Sequence, residues 1–232
     1  MTDNPIGSEV QKYRLVLWFT IKRDRRFLSH RDTVKLWQQT FSRCEVPLRY
    51  TQGFNPRIRL SLPMPRNVAI ASDCELLIVE LTEQLEIDSF IAKINANLPA
   101  NIEVTHGRYA AFDEPLYPTG CTYALSIAKE ADLAKIAGNI DKFNAMEKLV
   151  FTRPSRGRHP VKYLDLKVTV GSLELNGNTI NLSMNIFRTG TSRIDELMSM
   201  LGIDMIKDIT FIQRTKAVFG KQIELEQNIE II

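Results

Sequence analysis

Two hydrophobic periods alternate in a set order along residues 13–110, and that order limits the fold more than any single motif. Tyr13 to Ile21, YRLVLWFTI, predicts a strand from its Val, Trp, Phe and Thr content. After the basic turn Lys22-Arg23-Asp24-Arg25-Arg26, Ser29 predicts a helix N-cap, with Asp32 three residues on as a weaker form of the capping box. Val34, Trp37, Phe41 and Cys44 then recur with helical period, and Pro47 ends the helix. An extended segment, Leu48 to Pro63, is interrupted by Gly53-Phe54-Asn55-Pro56. Cys74 to Leu81, CELLIVEL, predicts a strand. Ile87 to Leu98 carries Ile87, Phe90, Ile91, Ile94 and Leu98 on one helical face, and Ile102 to Tyr109 closes the series as a strand. The order is β-α-β-β-α-β, the split βαβ arrangement of a ferredoxin-like domain.

The second half repeats this pattern more loosely. Phe112 to Gly120, FDEPLYPTG, reads as a connection. Thr122–Ala128, Leu149–Arg153, Val161–Glu174, Thr179–Phe187 and Ile209–Val218 read as strands, and 131–146 and 193–201 as helices. Asn176-Gly177-Asn178 is a hairpin turn signal between two of those strands. The expected fold is α+β: two tandem ferredoxin-like halves, 11–112 and 120–232, with an expanded β-hairpin in the second. At 232 residues the chain is long enough for both.

The net charge is +3, an average that hides three blocks. Residues 14–66 hold twelve Lys/Arg against three Asp/Glu, a net of +9, and residues 151–167 hold five against one, a net of +4. Residues 67–150 hold six against thirteen, a net of −7. Such blocks let a near-neutral chain present a basic face to a polyanion.

Several classes are disfavoured. Cys44, Cys74 and Cys121 form no C-x-x-C, and the odd count suits a reducing compartment. His106 and His159 lack Cys or carboxylate partners at ligand spacing, so no metal site is expected. Neither G-x-x-x-x-G-K-[ST] nor G-x-G-x-x-G occurs, and no cofactor is expected. No apolar run approaches the ~20 residues that span a bilayer, and Met1–Arg14 lacks the apolar core of a signal peptide. The expected setting is cytoplasmic, with no membrane partner. Trp18 and Trp37 are expected in the core, and the acidic stretch 73–88 on a solvated face.

Three places carry candidate function. In Tyr50 to Arg59, YTQGFNPRIR, Tyr50 and Phe54 are interleaved with Arg49, Arg57 and Arg59, while Gly53 and Asn55-Pro56 favour a turn. Rings that stack on bases and guanidinium groups that meet phosphate suit single-stranded nucleic acid. The competing reading has Phe54 plugging the core. In Arg153 to Pro160, Arg153, Arg156 and Arg158 surround a glycine and suit phosphate contact; the competing reading is an ordinary exposed loop. Ser29, His30 and Asp32 place a titratable group at a helix start, but positions i, i+1 and i+3 of one turn do not converge as a nucleophilic triad must. Capping is the simpler role for Ser29 and Asp32, and catalysis is not expected.

Phe27-Leu28-Ser29-His30-Arg31-Asp32 and Pro47 to Pro56, PLRYTQGFNP, together resemble the R-F-L-S-H-L-D and P-x-x-Y-S-x-G-F-N-P-H-P elements of the DUF2344 family. Ser72-Asp73-Cys74-Glu75 resembles its S-x-x-E element, and Asn95 to Pro99, NANLP, its L-N-x-x-L-P. The resemblance draws attention to Gly53 and Glu75 as motif residues. It implies a radical-SAM-associated protein in stand-alone form, because the chain has no C-x-x-x-C-x-x-C of its own. Arg31, Arg57, Arg59 and Arg66 depart from the family pattern and add basic charge. Three functions compete: an accessory protein that binds RNA through its basic face, a protein partner of a radical SAM enzyme without nucleic-acid contact, and a small hydrolase or transferase using His30 with Asp32 or Glu75.

Overall fold

The computed structural model describes residues 11–154 and 161–222. It is a mixed α+β protein that divides into two compact units, Met1–Val68 with Glu75–Glu114, and Ala69–Cys74 with Pro115–Ile232.

In the first unit β1 (Tyr13–Ile21) leads through a short 3-10 turn (Arg23–Phe27) to α1 (His30–Arg43). Then come β2 (Leu60–Ser61), β3 (Ile70–Leu81), α2 (Ile87–Asn97) and β4 (Ile102–Ala110). The strand order is β4-β1-β3, with β2 antiparallel to β3 and β4 antiparallel to β1. Alternation along β1 sends Leu15, Leu17, Phe19 and Ile21 into one core, where they meet Trp37 and Phe41 of α1 and Phe90 and Ile94 of α2. Phe19 and Trp37 pack edge to face, 5.0 Å between centroids and 77° between planes.

One irregularity organises β4. The β1–β4 register shifts between Trp18 and Phe19, so Thr105 is an extra residue opposite that step. β4 is also an edge strand, and Asn95 of α2 takes up the backbone of Val104 next to the bulge: its side-chain amide donates to the Val104 carbonyl (2.9 Å) and accepts from the Val104 N–H (2.8 Å). The Asn of the NANLP segment thereby fastens helix to sheet.

In the second unit β5 (Tyr117–Ile127) is followed by α3 (Leu133–Ala145), β6 (Val150–Arg153), β7 (Lys162–Asp165), α4 (Leu166–Thr169), β8 (Val170–Asn176) and β9 (Thr179–Asn185). The chain then forms α5 (Ile194–Met200) and β10 (Ile209–Gly220). The order β10-β5-β9-β8 is antiparallel throughout, and Ile70–Ser72 of β3 run parallel to Ile212–Arg214. The β8–β9 hairpin turns at Gly177, whose φ of +56° favours glycine.

The expected strand Val161–Glu174 is two strands separated by a helical turn. Asp165 causes the break, because its carboxylate accepts from Lys167 N (3.0 Å) and Leu149 N (3.2 Å). That caps α4 and diverts β7 into a separate two-stranded pairing with β6.

The acidic stretch 73–88 is not one solvated face. Glu75 is buried in β3, Glu80 is half-buried and paired, and Glu86 accepts from Asp88 N and Ser89 N as the N-cap of α2. No helix among the described residues is long and apolar enough to cross a membrane.

Candidate nucleic-acid interface

Residues 48–60 fold back on themselves as a short ribbon. Arg49 N donates to Glu80 O (2.9 Å) and Glu80 N to Arg59 O (3.0 Å), so the base of the ribbon is tied to β3. Arg59 N donates to Arg49 O (2.9 Å) and Thr51 N to Arg57 O (2.8 Å), and Tyr50 bridges Ile58. The Thr51 hydroxyl also accepts from Arg57 N (3.0 Å). Gly53 turns the chain at φ +125°, a conformation L side chains rarely adopt.

The tip beyond Gly53 projects into solvent. Phe54 is fully exposed and Tyr50 is 49% exposed, while Asn55 and Arg57 are exposed beside them. The reading in which Phe54 plugs the core is therefore excluded. The ribbon's arginines differ in commitment. Arg49 pairs with Glu80 at 2.6 Å and Arg59 lies 3.6 Å from the same carboxylate. Arg57 forms no ion pair among the described residues.

Ser29 and Asp32 form the expected capping box at the start of α1. Ser29 Oγ accepts from Asp32 N (3.1 Å) and donates to Asp32 Oδ2 (2.7 Å), while Ser29 N donates to the same oxygen (3.2 Å). The hydrogen bonds from Ser29 hold the Asp32 carboxyl below the ordinary carboxylate range. His30 is exposed at the first helical position. With Asp32 spent on the cap, it is not oriented as a partner for His30.

Arg153 grips Glu196 with two bonds of 2.6 Å, from Nε to Oε1 and from Nη2 to Oε2. Arg156, Arg158 and His159 lie outside the described residues. Burial pushes the Cys44 and Cys121 thiols up, which makes them poor nucleophiles. No group of three or more His, Cys, Asp or Glu gathers as a metal site among the described residues.

Two features escaped the sequence reading. The turn Arg23–Phe27 presents an exposed Phe27, with the Arg26 guanidinium 4.6 Å from its ring centroid. Trp18 is absent from the helix-covered core of its unit and stacks on His106. Clustered Arg and Phe at 22–27 was the visible signal for the first. For Trp18 the signal was the strand alternation itself, which puts it on the face opposite Leu17 and Phe19.

The family model described as an uncharacterised protein conserved in bacteria, DUF2344, matches residues 14–198. The chain belongs to the DUF2344 family. The match takes in the capping box, the ribbon and the Arg153–Glu196 pair, so all three lie in the family's own portion of the chain. Comparison with curated proteins returns no match.

Proposed function

We propose that this DUF2344 protein is an RNA-binding accessory protein that takes single-stranded RNA on its basic face through the ribbon 48–60. The observation that carries this reading is Phe54, a fully exposed ring on a ribbon whose base is hydrogen-bonded to a central strand. Exposing a phenyl ring forgoes about 1.5–3 kcal/mol of burial, and a turn built only to connect strands has no use for one. Tyr50 offers a second ring and Arg57 an uncommitted cation, the combination that lets bases stack while phosphates are neutralised. Arg49 and Arg59 join the phosphate contacts after yielding Glu80; Arg156 and Arg158 are proposed to add contacts from the second basic block.

The scaffold reading supports this function. We read each unit as a ferredoxin-like variant, a reading supported by the strand orders β4-β1-β3, with β2 on β3, and β10-β5-β9-β8. The expected radical SAM association is compatible with such a role, the RNA then being what the accessory protein presents to its enzyme.

The test is fluorescence anisotropy of a labelled, mixed-sequence single-stranded RNA across a salt series starting near about 50 mM. Salt-sensitive binding that weakens in Phe54→Ala and Arg57→Ala supports the reading. Absence of binding at the lowest salt overturns it.

A further inference from the structure

The segment Lys22-Arg23-Asp24-Arg25-Arg26-Phe27 has the composition of a solvated loop, yet it is held at many points. Lys22 N donates to Asn101 O (2.8 Å), Asn101 Nδ2 donates to Asp24 Oδ1 (3.0 Å), and Arg25 Nε donates to Ala100 O (3.3 Å). Arg23 adopts φ +49°, a left-handed conformation unusual for a residue with a Cβ. The strongest restraint comes from Arg66, which is only 7% exposed. Its guanidinium donates to Arg26 O (2.7 Å) through Nη1 and to Leu28 O (2.8 Å) through Nη2. Those carbonyls flank Phe27 on either side. A buried cation is expensive unless its donors are satisfied, and here two of them clamp the backbone on either side of one side chain.

That side chain is the one left outside. Phe27 is 55% exposed, backed by the Arg26 guanidinium. Lys22 and Arg23 precede it in the same turn and Arg31 follows in the first turn of α1; all three are exposed and form no ion pair among the described residues. The nearby carboxylates are occupied, Asp24 by Asn101 and Asp32 by the Ser29 cap. An exposed ring on a rigid mount, rimmed by available cations, suits a ligand that is both aromatic and polyanionic. Rigidity matters because ordering a loop on binding would subtract from affinity.

We propose that the Arg23–Phe27 turn is a second base-stacking contact for single-stranded RNA, with Phe27 as the stacking ring, Lys22, Arg23 and Arg31 facing phosphate, and Arg66 as the residue that positions the ring. This deepens the RNA-binding reading and rests on the protein taking single-stranded RNA, not on the ribbon being its contact.

The experiment uses the full chain and two labelled RNAs of equal length, one of mixed sequence and one with abasic sugars throughout. Phe27→Ala, at an exposed position, is expected to weaken binding of the first by about 5- to 150-fold, the range of losing one stacked base. It leaves the abasic strand and the salt slope unchanged, while Phe27→Tyr stays near wild type. The Lys22→Ala/Arg23→Ala double variant lowers the salt slope instead, by about 0.7 for each phosphate no longer neutralised. Arg66→Lys keeps the charge but loses the fork that reaches two carbonyls; its loss of affinity should largely vanish in a Phe27→Ala background. An equal loss with and without Phe27 overturns the positioning role. If the mixed RNA binds, Phe54→Ala weakens it and Phe27→Ala does not, the turn is refuted and the ribbon stands. If Phe27→Ala weakens it and Phe54→Ala does not, the turn stands and the ribbon is refuted. If wild type binds neither RNA, both are refuted.

Discussion

Trp18 and His106 lie face to face, ring centroids 4.5 Å apart and planes 9° from parallel. They sit directly opposite each other across the β1–β4 pair, beside the Thr105 bulge. The Thr105 hydroxyl donates to Trp18 O (3.2 Å) and stands 3.0 Å from His106 Nδ1. A hydroxyl has one proton. With that proton on the carbonyl, the contact with His106 requires Nδ1 to be the donor. With that arrangement the neutral imidazole is expected as the Nδ1–H tautomer, its Nε2 lone pair unused by the Thr105 contact.

Nitrogen-15 NMR of the neutral His106 side chain should show a protonated Nδ1 and a bare Nε2. Thr105→Val should remove that preference without unfolding the protein. A wild-type ring protonated at Nε2 would contradict the assignment. His106→Ala should cost about 0.5–1.5 kcal/mol in chemical denaturation through loss of the stack.

Glu80 holds the two ribbon arginines that the proposed RNA contact would have to free. It engages Arg49 at 2.6 Å and approaches Arg59 at 3.6 Å, with a side chain 20% exposed. Glu80→Gln keeps the size and removes the competing charge. RNA affinity should rise, and the slope of log affinity against log salt should steepen by up to about 0.7 for each arginine released to phosphate. Stability should fall by no more than about 1 kcal/mol, because neither arginine is deeply buried. An unchanged slope would mean that these arginines do not reach the phosphates.

The difference between what was legible and what was not lies in the range of the determining interaction. The β-α-β-β-α-β order of the first unit follows from runs such as Leu15–Ile21 and the Trp37–Phe41 stripe, where local period and burial agree. The Ser29–Asp32 cap is equally local. The break at Asp165 depends on Leu149 N, sixteen residues away, so the continuous Val and Leu content of 161–174 concealed it. The exposure of Phe54 was undetermined, because an aromatic in a Gly-Pro turn suits an anchor or a projecting tip equally. The mounting of Phe27 was invisible because Arg66 reaches back forty residues to Arg26.

The Ser29–Asp32 cap has a stability effect with a definite pH sign. Ser29→Ala removes the hydroxyl that accepts from Asp32 N and should cost about 1 kcal/mol. The Ser29 hydrogen bonds, the larger from its side chain, place the folded-state pKa of Asp32 below its unfolded value. The contribution of the ionised carboxylate is thus present above the unfolded value and is lost as pH falls through the folded one. Denaturation midpoints followed into acid should converge for wild type and Asp32→Asn. Parallel curves would remove the cap from the pH dependence.

Arg153 of the second basic block is tied into an ion pair, which tests whether the cations proposed to meet RNA include it. Its two 2.6 Å bonds to Glu196 and a third from Nη2 to Thr191 O (3.2 Å) tie β6 to the segment entering α5. Glu196 is 7% exposed and also accepts from Arg193 N (2.8 Å), so losing Arg153 strands a buried carboxylate at a helix start. Arg153→Ala should cost about 1.5–3 kcal/mol, the range for hydrogen bonds to charged groups. Arg153→Lys should recover only part, since an ammonium cannot span both carboxylate oxygens as the fork does. At temperatures where the variant remains folded, its RNA salt slope should equal that of wild type. Arg156→Ala and Arg158→Ala should instead lower the slope by about 0.7 each with little change in stability. A fall in slope for Arg153→Ala matching theirs would show that its guanidinium leaves Glu196 for phosphate when RNA binds.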